Sequence, residues 1–111
     1  MNPERTLGEF EQIVLLAILR LEENAYGVTI RAEIEVCTGR EPAPGALYTT
    51  LDRLEEKGFV KSWMGDPTPQ RGGRAKRFFA VSPQGVKAVA HAQQGFRRLL
   101  HGLVLPGMAY A

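Results

Sequence analysis

The chain has 111 residues and a net charge of only +2, so it is long enough for one domain and its total charge marks no particular partner. The longest apolar run, residues 13–19, is far shorter than the roughly 20 residues that span a bilayer, and acidic residues interrupt the N-terminus, so we expect no membrane segment or signal peptide. The single cysteine and the two distant histidines predict a cytoplasmic protein without a disulfide, metal or cofactor.

The charge is divided unevenly along the chain. Residues 1–56 carry five arginines and eleven carboxylates, a net charge of −6, whereas residues 57–111 carry nine basic residues and one aspartate, a net charge of +8. A basic second half is typical of a protein that faces a polyanion, although a solvated basic surface gives the same pattern.

Two helices are predicted in the first forty residues. Thr6 and Glu9 fit a capping box that opens the first helix, which is apolar nearly all round and therefore needs cover on more than one side. The second helix is predicted over residues 26–38, where Ile30, Ile34 and Cys37 share one face. Cys37 is accordingly interpreted as a small core residue.

A third helix is predicted over residues 45–57, and Gly58 ends it. Leu47, Leu51 and Leu54 form its buried stripe. Its N-terminal half carries no carboxylate, so the backbone amides and the positive end of the helix dipole are open to a phosphate or a base edge.

Two strands, residues 59–64 and 77–81, are predicted to form a hairpin around a turn rich in glycine and proline. Four basic residues lie at the distal end of that turn: Arg71, Arg74, Lys76 and Arg77. Helix, strand, basic loop, strand is the order of a winged helix. The predicted fold class is therefore mainly α with a small β-hairpin wing: a winged helix-turn-helix with an added C-terminal dimerisation helix.

This arrangement supplies both parts of DNA recognition, because a helix can enter the major groove while a basic wing neutralises the backbone. The predicted DNA-binding residues are Gly45, Tyr48, Thr49, Arg53, Arg71, Gly73, Arg74 and Lys76. Three alternatives stay open. Tyr48 could instead pack against the neighbouring helix. Arg53 could pair with Glu22 or Glu56, and the basic turn could simply be solvated.

The last helix begins at Ser82, as N-cap, with proline in its first turn, and is predicted to end at residues 105–107. Its apolar positions alternate in steps of three and four, which is the spacing of a coiled-coil seam, and Gln93 is placed to fix register between two copies. The predicted dimer interface is Phe10, Leu15, Ile18, Val86, Val89, Gln93, Phe96, Leu100 and Leu103. A helix packed on its own domain gives a similar stripe.

The predicted organisation is a winged-helix domain over residues 1–81, a dimerisation helix over residues 82–105 and a frayed tail over residues 106–111. An apolar pocket between two such helices, at Val89, Phe96 and Leu100, is the predicted site for a small hydrophobic or aromatic effector.

The chain resembles the phenolic acid decarboxylase regulator (PadR) family of bacterial transcriptional repressors. The likeness lies in the apolar segment 13–19, in Tyr26 and Gly27, in residues 45–58 and in the wing with its entry to the last helix, residues 72–85. The resemblance implies a homodimer in which the last helix packs on the partner's first helix, the third helix enters the major groove and the wing contacts the backbone or minor groove. It also implies release from DNA by a small compound in some members.

The leading hypothesis is therefore a homodimeric repressor that binds an operator in double-stranded DNA. The alternative is a winged helix used as a protein-interaction module without specific DNA binding. We expect no enzyme, because the sequence has no paired carboxylates, Cys/His pair or phosphate-cradling loop at usable spacing.

Overall fold

The computed structural model describes residues 6–65 and 75–107. Four helices and one hairpin follow in the order α1 (Glu9–Leu21), α2 (Gly27–Thr38), α3 (Pro44–Glu56), β1 (Val60–Met64), β2 (Arg77–Val81) and α4 (Pro83–Leu100), with a short 3-10 helix, Glu22–Asn24, after α1. The two strands pair antiparallel, with Val60 opposite Val81 and Met64 opposite Arg77. We call the β1–β2 hairpin the wing. The predicted fold class is confirmed.

The core lies where α1, α2, α3 and the wing meet. Leu47, Leu51 and Leu54 are fully buried, which confirms the predicted stripe of α3. Gly58 adopts a left-handed backbone with φ of +79°, and the Phe59 amide donates to the Leu54 carbonyl at 2.9 Å, so α3 ends where predicted and the chain turns directly into β1.

The start of α1 differs from the prediction. The N-cap is Gly8, and the Glu11 carboxylate accepts from the Gly8 amide at 2.8 Å, so the capping interaction lies two residues later than Thr6 and Glu9. Glu11 also pairs with Lys57 at 2.8 Å while only 6 % exposed. This pair joins the start of α1 to the end of α3, and the Lys57 ammonium donates to both oxygens of the buried Glu11 carboxylate.

Cys37 is exposed, so its assignment to the core is wrong. Ile30 and Ile34 are buried as predicted, but Cys37 lies in the last turn of α2, beyond the packed part of the helix. Its thiol is 3.4 Å from a Glu33 carboxylate oxygen and faces an open cavity between α1 and α2.

The wing is held in place along the outer edge of β2 and at its junction with α4. The Phe79 amide donates to the Ala25 carbonyl at 2.9 Å, and Tyr26 forms a β-bridge with Phe78. As predicted, Ser82 caps α4: its hydroxyl accepts from the Gly85 amide at 3.0 Å.

The last helix ends at Leu100, several residues before the predicted end. His101 leaves the helical conformation with ψ of 128°, and Gly102 follows with a left-handed backbone, φ of +81°, so Leu103 lies outside the helix.

Candidate nucleic-acid interface

The outward face of α3 is the first component of the site. Because the leucine stripe points inward, the opposite face is open to solvent, and Gly45, Thr49 and Arg53 are all exposed. Pro44 lies in the first turn, and no carboxylate occurs there. The N-terminal amides and the positive end of the helix dipole therefore face outward without a competing negative charge.

Tyr48 packs against the neighbouring helix, the alternative that the sequence left open, and its DNA contact stays a prediction. Its side chain is 42 % exposed, and its hydroxyl lies so close to Gly27 that a Cβ at residue 27 would overlap it. Gly27 is buried in the first turn of α2. The tyrosine ring is thus held against α2 on one side and open to solvent on the other.

The root of the wing meets the same end of α2. The Lys76 ammonium lies 4.3 Å from the centroid of the Tyr26 ring, and that ring contacts Phe78 edge-on at 5.5 Å. Phe78 in turn stacks on Trp63 across the hairpin at 6.2 Å. Because Tyr26 and Gly27 are consecutive, Lys76 from the wing and Tyr48 from α3 contact neighbouring residues at the start of α2.

Arg77 was predicted to belong to the basic cluster of the wing, but its side chain pairs with α3 instead. Its guanidinium donates to Asp52 at 3.3 Å and to Glu55 at 2.7 Å, both on α3, and to the Ser62 hydroxyl at 3.2 Å. Two carboxylates therefore compensate its charge. The sequence could have indicated this inward orientation of Arg77, because side chains alternate along a strand. Residues 77, 79 and 81 share one face of β2, and Phe79 is buried on that face.

Three of the predicted DNA-binding residues, Arg71, Gly73 and Arg74, lie outside the described residues. Within residues 6–65 and 75–107, Arg53 forms no ion pair, so the predicted alternative of a bridge to Glu22 or Glu56 does not occur. The same part of the chain contains no cluster of three or more metal-ligating side chains.

The sequence profile of the transcriptional regulator PadR-like family matches residues 15–92, more than two thirds of the chain. The chain belongs to this family. The winged helix described above is accordingly that of a DNA-binding transcriptional regulator.

Solved structures support this assignment of the PadR-like chain. It is similar to the complex structure of hsRosR-S4, at 26 % identity and a TM-score of 0.69, with 91 % of this chain and 80 % of that chain covered. A transcriptional regulator from Clostridium thermocellum shares 21 % identity (TM-score 0.66; 81 % and 84 % covered), and a PadR family regulator from Clostridium difficile shares 22 % (TM-score 0.64; 81 % and 90 % covered). No curated protein matches the chain significantly.

Three of the predicted dimer contacts belong to the core of this PadR-like protomer itself. Leu15, Ile18 and Val89 are 0 %, 2 % and 3 % exposed, so they leave no surface for a partner. The packing of α1 turns Leu15 and Ile18 inward, and it is Leu16 and Leu19 that remain partly exposed. Burial of Val89 also removes it from the predicted effector pocket.

Two further predicted dimer contacts are engaged within the protomer. The Arg40 guanidinium lies 5.4 Å from the centroid of the half-buried Phe10 ring. Gln93 donates to the Gln12 side-chain oxygen at 3.0 Å and so joins α4 to α1 of the same chain. The Gln93 amide is thus engaged within the protomer, and its role in fixing register between two copies stays a prediction.

Exposed apolar side chains lie on the outer half of α4 and just after its end. Phe96, Leu99 and Leu103 are 56 %, 75 % and 51 % exposed, and Val86 is 42 % exposed near the start of the helix. Leu100 is only partly buried. Leu99 was not predicted, although its spacing of three from Phe96 places it on the same side of the helix.

A cavity of about 290 Å³ lies between α1 and α2, away from the predicted effector site. Its floor includes Ile13, Ala17 and Ile34, and Arg20 and Glu33 form its polar rim. Arg20 donates to Glu33 at 2.6 Å, and this hydrogen bond lowers the pKa of the Glu33 carboxyl and raises the pKa of Arg20.

Within the described part of the chain, no helix has the length and apolarity of a membrane span.

Proposed function

We propose that this PadR-like regulator is a homodimeric repressor that binds a specific operator through α3 and the wing. The observation that carries the proposal is that Tyr48 of α3 and Lys76 of the wing contact consecutive residues, Gly27 and Tyr26, at the N-terminus of α2. The exposed face of α3 and the basic root of the wing are therefore both fixed to the same end of α2. Such an arrangement fits a duplex, since the helix can read base edges while the wing contacts the backbone.

The proposal assigns Gly45, Tyr48, Thr49 and Arg53 to the groove and its flanking phosphates. Lys76, with Arg71, Gly73 and Arg74 of the wing sequence, is assigned to the backbone. The exposed apolar side chains of α4 form the self-association surface. Release by a small hydrophobic effector is the regulatory part of the proposal, with Phe96 and Leu100 as its contacts.

The function is tested by measuring binding to the DNA just upstream of the protein's own gene, beside a scrambled duplex of equal length, across a series of salt concentrations. We expect the upstream duplex to bind at least ~10³-fold more tightly, with a steep dependence of affinity on salt. Equal and weak binding to both duplexes would reject the repressor and favour the protein-interaction module.

The contribution of the wing is tested by replacing Lys76 with alanine. A phosphate contact removed in this way should weaken binding to both duplexes about equally and reduce the salt slope by about 1 for each protomer bound. Lys61, exposed on β1 of the same hairpin, provides the matched control, and Lys61→Ala should leave both quantities unchanged. Identical behaviour of the two variants would remove Lys76 from the interface.

The position of Tyr48 is tested by replacing Gly27 with alanine. The new Cβ would overlap the Tyr48 hydroxyl, so the ring must leave its place on α2. We expect operator affinity to fall about tenfold, in the range of a lost base or phosphate contact, while helix content is retained. Gly95→Ala is the control, since its Cβ meets no atom within 4 Å. Unchanged operator binding in Gly27→Ala would show that the seating of Tyr48 does not matter for recognition.

A further inference from the structure

Arg77 joins the wing to α3 through a compact polar cluster. Its Nε donates to the Ser62 hydroxyl at 3.2 Å, Nη1 to Asp52 at 3.3 Å and Nη2 to Glu55 at 2.7 Å. Ser62 also lies within hydrogen-bond distance of both Glu55 carboxylate oxygens, at 2.9 and 3.1 Å. One guanidinium thus connects β1, β2 and two successive turns of α3.

The orientation of this guanidinium is restricted from a second direction. Its central carbon lies 4.9 Å from the centroid of the buried Phe79 ring, so the planar group is held between an aromatic face and three acceptor oxygens. A planar fork with several fixed donors suits such a site, whereas a lysine ammonium does not reproduce it.

The local charge argues against a phosphate contact. Two carboxylates face one guanidinium, which leaves the cluster with a net charge of −1. A DNA phosphate placed here would have to displace Asp52 or Glu55 and would then lie beside a free carboxylate. Arg77 is therefore committed to the protein itself and is not open to a phosphate.

We propose that Arg77, Asp52 and Glu55 form a latch that sets the angle between α3 and the wing, so that Arg77 is a positioning residue for operator recognition. The inference rests on the proposed function and deepens it. A specific complex needs α3 in the groove and the wing on the backbone at a fixed separation. Non-specific binding needs only positive charge near phosphates.

The two roles of an arginine in this position give different results in DNA binding. Removal of a phosphate contact weakens binding to all sequences about equally and lowers the salt slope by about 1 for each protomer bound. Removal of a positioning residue lowers the preference for the operator and leaves the salt slope unchanged. For Arg77→Gln we expect the ratio of operator to scrambled affinity to fall about tenfold, or about 1.4 kcal/mol, at an unchanged slope.

Two further variants separate geometry from charge. Arg77→Lys keeps the charge but not the fork, so it should fail to restore the affinity ratio. The Asp52→Asn, Glu55→Gln variant should lose preference for the operator like Arg77→Gln, yet bind the scrambled duplex more tightly because two negative charges are gone. Rescue by lysine, or a salt slope reduced by about 1 for each protomer bound in Arg77→Gln, would overturn the latch.

A measurement without DNA keeps this test independent of the proposed function. Residual dipolar couplings of backbone amides in α3 and in the wing report the relative orientation of the two elements in free protein. In Arg77→Gln we expect the couplings of the wing to shift or shrink relative to those of α3, with the couplings within α3 unchanged. Couplings identical to wild type would reject the latch. If instead the couplings change and even the wild type shows no preference for the operator, the function is rejected and the latch stands as a structural device.

Discussion

Replacement of Gly85 by alanine is expected to lower the free energy of unfolding by about 2–3 kcal/mol, the upper part of the range for overpacked sites. Gly85 lies in the first turn of α4, and a Cβ there would overlap the Phe59 carbonyl oxygen and lie 2.7 Å from a Val81 methyl carbon. The obstacle is backbone, so no rotamer change relieves it.

The surrounding turn cannot move aside easily. The same Phe59 carbonyl accepts from the Ser82 amide at 2.9 Å, and the Ser82 hydroxyl donates to the Gly58 carbonyl at 2.6 Å. A shift of Phe59 therefore breaks the junction between the wing and α4. Equilibrium unfolding in urea measures the change, and the thermal midpoint should fall by roughly 8–24 °C at about 4–8 °C per kcal/mol.

Gly95 provides the matched control within the same helix. It is exposed, and an added Cβ meets no atom within 4 Å, so Gly95→Ala should raise stability by about 0.5–1 kcal/mol through helix propensity alone. Both variants and the wild type must be compared at one protein concentration, since self-association adds to stability. Similar effects of the two substitutions would show that α4 does not dock closely on the turn at Phe59.

The elements of the fold were predictable where a local pattern determines them. The leucine stripe of α3, its glycine stop and the Ser82 cap of α4 each depend on residues within one or two turns, and all three are confirmed. The start of α1 was misplaced because Glu11 pairs with Lys57, 46 residues away, and no local pattern reports such a partner.

The site was harder to predict because its charges are decided by tertiary contacts. Lys76 and Arg77 are consecutive and have similar chemistry, but strand alternation sends Arg77 towards the carboxylates of α3 and Lys76 towards Tyr26. Periodicity likewise could not tell which side of the apolar helix α1 faces its own core. Leu15 and Leu16 are adjacent and alike, and only packing separates them.

The second large effect is expected from Phe96→Ser, Leu99→Ser on the exposed face of α4. In the proposed homodimer these side chains are covered by the second copy, so the double variant replaces four large apolar side chains per dimer by serine. Because they are only 56 % and 75 % exposed in the protomer, the burial that the dimer loses is worth roughly 4–8 kcal/mol at about 1.5–3 kcal/mol for each fully buried side chain. Sedimentation at micromolar concentration should show a dimer for the wild type and a monomer for the variant.

The protomer itself should remain folded, because Phe96 and Leu99 are 56 % and 75 % exposed and lie outside its core. Val36, which is 82 % exposed on α2, supplies the control. Val36→Ser also removes an exposed apolar side chain without adding charge, and it should leave both association and DNA binding as in the wild type. A double variant that stays dimeric would show that this face of α4 is not the interface.

Loss of the dimer should also weaken operator binding by a measurable amount. A dimer that holds two half-sites gains about 10²–10⁴ in affinity over one protomer, because the second contact becomes intramolecular. The variant should therefore bind the operator at least 100-fold more weakly. Serine adds no charge, so each protomer keeps its own phosphate contacts, and the salt slope of the monomer should be about half that of the dimer. A variant that binds more weakly but keeps the salt slope of the wild-type dimer would still bind DNA as a dimer. Its defect would then lie in the contacts of each protomer with the operator.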